Sequence, residues 1–380
     1  KGAQIANTLL LPYLNHAATM YESGYATRDD IDASMRFGCG YPIGPLALID
    51  AIGPEVVAAR LEALFAQTGD ELHSPVSYLS DPHSADGSDI AVAAPELKHV
   101  ISKVGVVGTG TMASGIIEVF AKAGFDVTYV GRSEDKVAGV VAGITKSLDK
   151  AIARGKLDED GKSDVLGRLS GSTSQEALAD SDIIVEAIAE DLDIKLELFK
   201  NLDRIAKPGA ILATTTSSLS IDTCAGATSR PEDVIGMHFF NPAPVMKLVE
   251  VVSGAETSVD VAESVRALCF QTGKHPVSCA DRPGFIVNAL LFPYLNDAIK
   301  LTEAGGASLE EIDTSMKETK LPMGPFELLD VVGNDVSLAI QQTLVDAFGH
   351  EGWEPAKSLV QVVSEGKLGR KTGGGFHSYA

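Results

Sequence analysis

Residues 104–115 read VGVVGTGTMASG, and this stretch decides the fold of the central part of the chain. Its apolar beginning predicts a buried strand, and the residues that follow, up to position 123, predict a helix. Gly108 permits a tight turn between them, Gly110 lets the backbone approach a pyrophosphate, and Ala113 packs at the helix start. This context predicts a dinucleotide site whose candidate contacts in the turn are Gly108, Gly110, Thr111 and Met112.

The next strand-like run, residues 126–130, ends without the acidic residue that bonds the ribose 2′-hydroxyl of NAD. Gly131, Arg132 and Ser133 stand there instead. Without a carboxylate there is no repulsion of a 2′-phosphate, and Arg132 with Ser133 could bind it through charge-assisted hydrogen bonds. The sequence therefore favours NADP(H) over NAD(H). The alternative is that Arg132 only covers the adenine face.

The composition predicts an ordinary globular protein of two or three domains, because 380 residues exceed what one core usually serves. A formal net charge of -21 argues against nucleic-acid and membrane-surface partners, which are polyanionic. The cysteines have no CxxC or metal-ligand spacing, so we expect reduced thiols, no metal site and a cytoplasmic location. They are Cys39, Cys224, Cys269 and Cys279.

One segment of the sequence occurs twice. Residues 7–15, NTLLLPYLN, return as residues 288–296, NALLFPYLN, and the likeness continues through about residue 50 and residue 330. Both copies place apolar residues at helical spacing interrupted by Gly and Pro, which predicts small helical units. Since such a unit rarely buries its apolar face alone, we expect the two copies to pack on each other as a pseudo-twofold pair.

Between the copies, residues 103–280 alternate strand-like and helical runs, which predicts a mostly parallel sheet with crossover helices. The predicted fold is thus an α/β Rossmann-type dinucleotide-binding domain plus an all-α C-terminal domain, with a duplicated helical domain at the N-terminus. The predicted segments are a first helical copy (1–79), a polar linker (80–100), the Rossmann domain (101–283) and the second helical copy (284–380).

An acid–base site is indicated by residues 236–250, GMHFFNPAPVMKLVE, where one histidine and one glutamate lie among apolar neighbours. A histidine titrates near neutral pH, and a carboxylate on its second ring nitrogen would fix the tautomer. His238 is therefore the catalytic candidate, with Glu250 orienting it. Ser217, in a hydroxyl-rich turn after another strand, is a candidate hydrogen-bond donor to substrate, although such clusters more commonly cap helices.

Five motifs of the chain occur in one order: the glycine loop, TSSL (216–219), HFFNP (238–242), KHPV with RPGFIVN (274–277 and 282–288) and GRKTGGGF (369–376). In that order they resemble the L-3-hydroxyacyl-CoA dehydrogenases, notably their short-chain 3-hydroxybutyryl-CoA branch. The resemblance covers about residues 103–380, and the first 60 or so residues resemble an extra copy of the family's helical C-terminal domain.

The resemblance implies hydride transfer between an L-3-hydroxyacyl-CoA and the 3-ketoacyl-CoA with NAD(P), in fatty-acid or butanoate metabolism. It implies that His238 is the base, that Glu250 is its partner, and that Ser217 and Asn288 contact the substrate. It also implies cofactor contacts at Glu190, Lys195 and Lys371, and contacts to the CoA moiety at Ser147 and Arg154. Two positions depart from the family pattern, namely Thr215, where Asn is usual, and Gly131, where an acid is usual.

A basic cluster supports an acyl-CoA partner, because its charge suits the phosphates of CoA on an otherwise acidic chain. The alternative is a solvated helix face. The cluster consists of Lys146, Lys150, Arg154 and Lys156.

Two rival functions remain open: a dehydrogenase of a free hydroxy acid or sugar acid, and a non-catalytic acyl-CoA-binding or assembly module. Asn7 of the first copy matches Asn288, and we expect it to be structural. In the family the helical domain forms the dimer interface. A tandem copy therefore predicts a monomer with an internal pseudo-dimer, the alternative being a homodimer.

Overall fold

The structure is a computed structural model that describes residues 1–82 and 99–379. It divides into two compact units, one formed by Lys1–Ala91 with Pro283–Ala380 and the other by Val92–Arg282. Both predicted helical copies fall in the first unit. Most of the predicted linker lies outside the described residues. Throughout the described ranges no helix is both long enough and apolar enough to cross a bilayer.

The first helical copy begins with a long helix that carries the NTLLLPYLN motif. Its second helix starts at Thr27, whose side chain accepts a hydrogen bond from the amide of Asp30, and ends at Gly40 in the left-handed conformation. The third and fourth helices both begin with proline at the first position, where no amide donor is needed. The helices are α1 (Gly2–Glu22), α2 (Arg28–Cys39), α3 (Pro45–Ile52) and α4 (Pro54–Thr68).

The second unit is built on one sheet with the strand order β3-β2-β1-β4-β5-β6-β7-β8. Neighbouring strands are parallel except for the antiparallel pair β6 and β7. This confirms the predicted Rossmann-type fold. The strands are β1 (Lys103–Val107), β2 (Asp126–Val130), β3 (Leu169–Ser172), β4 (Ile183–Glu186), β5 (Ile211–Thr214), β6 (Val234–Phe239), β7 (Leu248–Ser253) and β8 (His275–Ala280).

The helices of this unit cover the sheet and bury an apolar core that includes Val106, Ile116, Phe120 and Val185. The central strands β4 and β5 are buried along their whole length because both faces of the sheet are covered, and each is apolar up to its last residue. The helices are α5 (Thr111–Lys122), α6 (Glu134–Ala153), α7 (Glu159–Gly167), α8 (Leu192–Ile205), α9 (Ile221–Ala225) and α10 (Val259–Gln271).

The second helical copy repeats the plan of the first and extends it by a tail. Its first helix carries the NALLFPYLN motif, and its third and fourth helices follow the same glycine-bounded turns. The helices are α11 (Val287–Glu303), α12 (Leu309–Glu318), α13 (Pro325–Val332), α14 (Asn334–Phe348) and α15 (Lys357–Ser364).

The two copies pack on each other, since α1 lies against α11 and α12 within the helical unit. Leu14 in α1 and its repeat counterpart Leu295 in α11 are both fully buried. Tyr13 and Tyr294, also counterparts, have ring centroids 6.2 Å apart. The long apolar helix of each copy is therefore covered by the other copy, as the sequence repeat predicts.

A repeated aspartate explains the glycine that precedes the third helix of each copy. Asp32 accepts a hydrogen bond of 2.7 Å from the amide of the second residue of α3, and Asp313 accepts one of 2.8 Å at the same place in α13. A Cβ on Gly44 would lie 2.3 Å from the Cβ of Asp32, and Gly324 is equally crowded by Asp313. Only glycine lets the aspartate reach the helix start.

Candidate active site

His238 and Glu250 occupy opposite positions on the antiparallel strands β6 and β7. Opposite residues in such a pair point to the same face of a sheet, so the two side chains meet. The ring Nδ1 of His238 lies 2.7 Å from Oε1 of Glu250. Glu250 is fully buried, and His238 is 8% exposed. A carboxylate can only accept, so Nδ1 is the protonated nitrogen and Nε2 is the proton acceptor of the neutral ring.

The loop after β6, residues 240–247, borders the histidine and is fixed from two sides. The ring of Phe240 lies with its centroid 4.7 Å from that of His238. The ammonium of Lys274 donates to the carbonyl oxygens of Ala243 and Met246, the latter at 2.8 Å. Burial lowers the pKa of Lys274. Sequence reasoning missed this lysine, because its partners lie far from it along the chain.

Ser217 lies in the turn after β5, between two hydroxyl groups that hold the turn in place. Thr216 and Ser218 both donate to Oε2 of Glu190, at 2.8 and 2.6 Å. The helix that follows is capped by Ser220, whose hydroxyl accepts from the amide of Thr223. The alternative that Ser217 is an ordinary helix cap is therefore wrong for this turn.

Lys195 is fully buried and bridges two carboxylates. Its ammonium lies 2.9 Å from Glu190 and 3.2 Å from Glu186, which is also fully buried. Glu186 accepts further hydrogen bonds from Thr214 and from the amide of Ile188. Burial alone would raise the pKa of Glu190, but hydrogen bonds from Ser218 and the charge of Lys195 outweigh it and lower that pKa. Lys195 thus holds the carboxylate of Glu190 in place. The predicted contact between Lys195 and the cofactor stays a prediction.

The glycine loop forms a backbone cradle at the start of α5. Gly108 has φ 134°, and a Cβ there would lie 2.4 Å from the carbonyl oxygen of Ala187. Gly110 caps α5, and a Cβ on it would meet no atom of the described residues within 4 Å. Ala113 is fully buried. The first glycine is thus needed for the turn and the second leaves the helix N-terminus open, which fits a pyrophosphate.

A cavity of about 920 Å³ extends from this cradle along the carboxyl ends of β1 and β2. Ligands of doubly wound sheets bind at this edge. Arg132 and Lys136 line the cavity, as do Asp193 and Glu197 of α8. The volume falls in the range of small-molecule and cofactor sites. The residues present therefore fit a dinucleotide.

Lys136 was not predicted from the sequence, although a local signal exists. It lies in the first turn of α6, four residues after Arg132, and both cations line the same cavity. Ser133 is the N-cap of α6, its hydroxyl accepting from the amide of Lys136 at 3.2 Å. A hydroxyl that accepts one hydrogen bond still has its own proton to donate to an anion.

The basic residues predicted to hold CoA lie on and just after α6. Lys146, Lys150 and Arg154 follow one another at four-residue intervals and are exposed, so they share one face. Ser147 is half-buried beside them. The carboxylate of Asp149 is paired with Lys162 at 2.7 Å, which offsets the acidic charge nearest to this face.

Asn288 and Lys371 belong to the helical unit. Asn288 is the second residue of α11 and is half-buried. Lys371 lies in the tail, 2.7 Å from Asp335. The tail is held by Asp330, which accepts from the hydroxyl of Tyr379 at 2.8 Å. In the first copy, the counterpart of Asn288 is Asn7, which accepts from Arg60 at 3.2 Å, and its structural role stays a prediction.

Comparison with known protein families identifies both units. The model of the 3-hydroxyacyl-CoA dehydrogenase NAD-binding domain matches residues 103–282. The model of the 3-hydroxyacyl-CoA dehydrogenase C-terminal domain matches twice, at residues 5–85 and 284–379.

Individual relatives agree with the family models. The 3-hydroxybutyryl-CoA dehydrogenase of Clostridioides difficile is 44% identical over 278 residues, which cover 73% of this chain and 99% of the relative. The mitochondrial hydroxyacyl-coenzyme A dehydrogenase of Homo sapiens is 44% identical over 305 residues, which cover 77% of this chain and 96% of the relative. The crystal structure of (S)-3-hydroxybutyryl-CoA dehydrogenase PaaH1 from Ralstonia eutropha superposes with a TM-score of 0.73 at 42% identity. The superposition covers 74% of this chain and 100% of that one. The chain belongs to the 3-hydroxyacyl-CoA dehydrogenase family.

Proposed function

We propose that this protein is an oxidoreductase that interconverts a short-chain L-3-hydroxyacyl-CoA and the 3-ketoacyl-CoA, with NADP(H) as the preferred cofactor. The observation that carries the proposal is the His238–Glu250 pair, in which a buried carboxylate lies 2.7 Å from the histidine ring. The dinucleotide cavity in the same unit supplies the second requirement of such a reaction. A bound nicotinamide would give or accept the hydride at C3 of the substrate.

The chain's own chemistry is proton transfer and orientation. Since Nδ1 of His238 donates to Glu250, Nε2 takes the proton of the 3-hydroxyl group during oxidation and returns it during reduction. Glu250 holds the ring in one tautomer and stabilises the imidazolium that forms. Ser217 hydrogen-bonds the reacting oxygen or the thioester carbonyl, and its turn is held by Glu190. Asn288 is proposed for the same role on family grounds.

The acyl-CoA substrate is proposed from the exposed basic face of α6. Lys150 and Arg154 present cations that can bind phosphate groups through charge-assisted hydrogen bonds. Ser147 lies on the same stretch of helix. The relatives at 44% identity bear names that specify acyl-CoA substrates, which supports this choice over a free hydroxy acid.

The preference for NADP(H) is proposed from the end of β2. Gly131 brings no carboxylate to this position, and Arg132 and Lys136 both line the cavity. Two cations that line the cavity, with no carboxylate at residue 131 itself, favour a 2′-phosphate over a 2′-hydroxyl. Ser133, at the N-terminus of α6, adds a hydroxyl donor and lies at the positive end of the helix dipole.

We further propose that the chain is a monomer in which the two helical copies form the pseudo-dimer. The support is that α1 and α11, the long helices of the two copies, already cover each other. Sedimentation of the purified chain as a tight homodimer would remove this proposal.

An absorbance assay with acetoacetyl-CoA, run in parallel with NADH and NADPH, tests the proposed reaction and the cofactor preference together. We expect oxidation of both nucleotides, with the higher kcat/KM for NADPH. Acetoacetate in place of acetoacetyl-CoA serves as the control for the CoA moiety. Failure to oxidise either cofactor would overturn the reaction, and a higher kcat/KM for NADH would overturn the cofactor preference alone.

A further inference from the structure

The glycine at the end of β2 is enforced by its surroundings. Gly131 is buried, and its amide donates to the carbonyl oxygen of Ser172 at 3.1 Å. A Cβ on Gly131 would lie 2.5 Å from the methyl Cγ2 of Thr109 and 3.1 Å from a methyl of Val137. Real Cβ atoms almost never approach another carbon to 2.5 Å, so residue 131 cannot carry a side chain while Thr109 keeps its place.

Thr109 is the closer of the two neighbours. It is the residue between Gly108 and Gly110 of the cradle, and its position is set by that turn. β-Branched side chains are restricted at χ1, so the methyl group cannot swing away at no cost. Its hydroxyl is bonded to the same Cβ as the methyl group that faces Gly131. A residue of the dinucleotide loop itself therefore excludes a side chain at position 131.

We infer that Thr109 is a specificity-determining residue, because its methyl group keeps any carboxylate side chain out of the 2′ site at position 131. This inference rests on the proposed preference for NADP(H) and adds to it a second residue. The basic side of the site, Arg132 and Lys136, attracts a phosphate. Thr109 excludes a carboxylate at residue 131, which would repel the phosphate. A switch to NAD(H) thus requires two coupled changes, one at residue 131 and one at residue 109.

The test is a set of substitutions at these two positions, read by binding and by stability. Thr109→Ser removes the methyl group and keeps the hydroxyl, whereas Thr109→Val keeps the branched shape and removes the hydroxyl. Each is combined with Gly131→Asp. The Kd values of NADH and NADPH are measured from cofactor fluorescence, and Tm is measured on the cofactor-free protein.

We expect Gly131→Asp alone to weaken binding of both cofactors and to lower Tm by roughly 5 °C, because it overpacks the turn. Adding Thr109→Ser should restore most of the lost Tm and tighten NADH binding on the order of tenfold relative to Gly131→Asp alone. Adding Thr109→Val should restore neither. Equal rescue by Ser and Val, or an unchanged Tm in Gly131→Asp, would overturn the inference.

Two further variants complete the design. Gly131→Ala introduces the Cβ without the charge, so it keeps the Tm comparison measurable if Gly131→Asp does not fold. Gly139→Asp adds a carboxylate to an exposed position of α6, where a Cβ meets no atom within 4 Å among residues 1–82 and 99–379, and it should behave like the wild type. Loss of Tm in Gly139→Asp equal to that in Gly131→Asp would also overturn the inference. A wild type that prefers NADH would overturn the proposed cofactor preference, while the cofactor-free Tm values would still decide whether the two residues are coupled.

Discussion

His238 and Glu250 are directly paired residues on adjacent antiparallel strands, so the register of β6 and β7 alone brings imidazole and carboxylate together. A slip of one residue would turn one of the two side chains to the other face of the sheet. Both strands are buried over most of their length, which fixes that register. The pair is thus set by rigid backbone and not by a flexible loop, a favourable arrangement for proton transfer.

The first prediction concerns this pair. We expect His238→Ala and Glu250→Gln each to lower kcat by about two to four orders of magnitude, because the first removes the acid–base group and the second removes its orienting charge. The Kd of the reduced cofactor should change less than about threefold, because neither side chain is proposed to bind the cofactor. Steady-state kinetics and fluorescence titration measure the two quantities.

Glu256→Gln is the control for Glu250→Gln, since it removes an exposed carboxylate from the loop after β7. It should leave kcat unchanged. Unaltered turnover in both His238→Ala and Glu250→Gln would refute the pair as the acid–base site.

The second prediction concerns the basic face of α6. We expect the double variant Lys150→Gln/Arg154→Gln to raise the KM for acetoacetyl-CoA by roughly tenfold or more, since each charged hydrogen bond contributes about 1.5 to 3 kcal/mol. The kcat at saturation should change little, because these groups bind parts of the substrate that do not react.

The matched control is Lys357→Gln/Lys367→Gln, which removes two exposed positive charges from the helical unit. Its KM should equal that of the wild type. If the α6 variant also keeps the wild-type KM, the basic face is only a solvated helix surface, and a substrate without CoA becomes the better proposal.

The third prediction concerns the cations of the cofactor cavity. We expect Arg132→Gln to raise the KM for NADPH by about ten- to a hundredfold while the KM for NADH stays nearly constant, because only NADPH carries the 2′-phosphate. The α6 double variant is the control, since it should change the KM for acetoacetyl-CoA and not that for NADPH. An equal loss with both nucleotides would mean that Arg132 covers the adenine face.

Local features of this chain could be predicted from its sequence because they depend on neighbouring residues. The glycine loop is an example: Gly108 adopts a positive φ, Gly110 caps the helix, and Ala113 is buried, each in the place that the pattern indicates. The packing of the two helical copies could also be predicted from the sequence, because the apolar face of each repeated helix must be buried against another element.

Contacts between residues far apart along the chain could not be predicted in the same way. The hydrogen bonds from Lys274 to the carbonyl oxygens of Ala243 and Met246 depend on β8 lying beside β7. The burial of Lys195 between two carboxylates depends on how α8 packs, and nothing in its local sequence distinguishes it from an exposed lysine. The close approach of Thr109 to Gly131, which leaves no room for a Cβ on residue 131, likewise arises only once β1 and β2 are paired.

The fourth prediction tests whether the first helical copy is an integral part of its unit. Leu14 and Leu295 are repeat counterparts and are fully buried. We expect Leu14→Ala and Leu295→Ala each to lower the free energy of unfolding by about 2 to 5 kcal/mol, because each leaves a cavity. Urea unfolding measures both. Val331→Ala, at a residue 46% exposed, should cost much less, and a Leu14→Ala variant as stable as Val331→Ala would mean that the copies do not depend on each other.

The fifth prediction concerns acid stability of the sheet unit. Burial would raise the pKa of Asp182, but hydrogen bonds from Lys207 and from the amides of Ser102 and Lys103 outweigh it and lower that pKa to about 2. Its side chain is 16% exposed, so solvent screens these interactions only in part. A carboxyl group whose pKa is depressed in the folded state stabilises the protein above its ordinary pKa, and this stability is lost as the pH falls through the folded value.

We therefore expect Asp182→Asn to lower the free energy of unfolding by about 2 kcal/mol at pH 7, and the difference from the wild type to shrink between about pH 4 and pH 2. Urea midpoints measured across this range give the difference directly. Asp180→Asn is the control, because Asp180 is 72% exposed beside Lys103 and Lys207, and its replacement should cost much less than that of Asp182, since exposed ion pairs contribute little. A difference between wild type and Asp182→Asn that stays constant down to pH 2 would show that packing, and not the charge of Asp182, accounts for the effect.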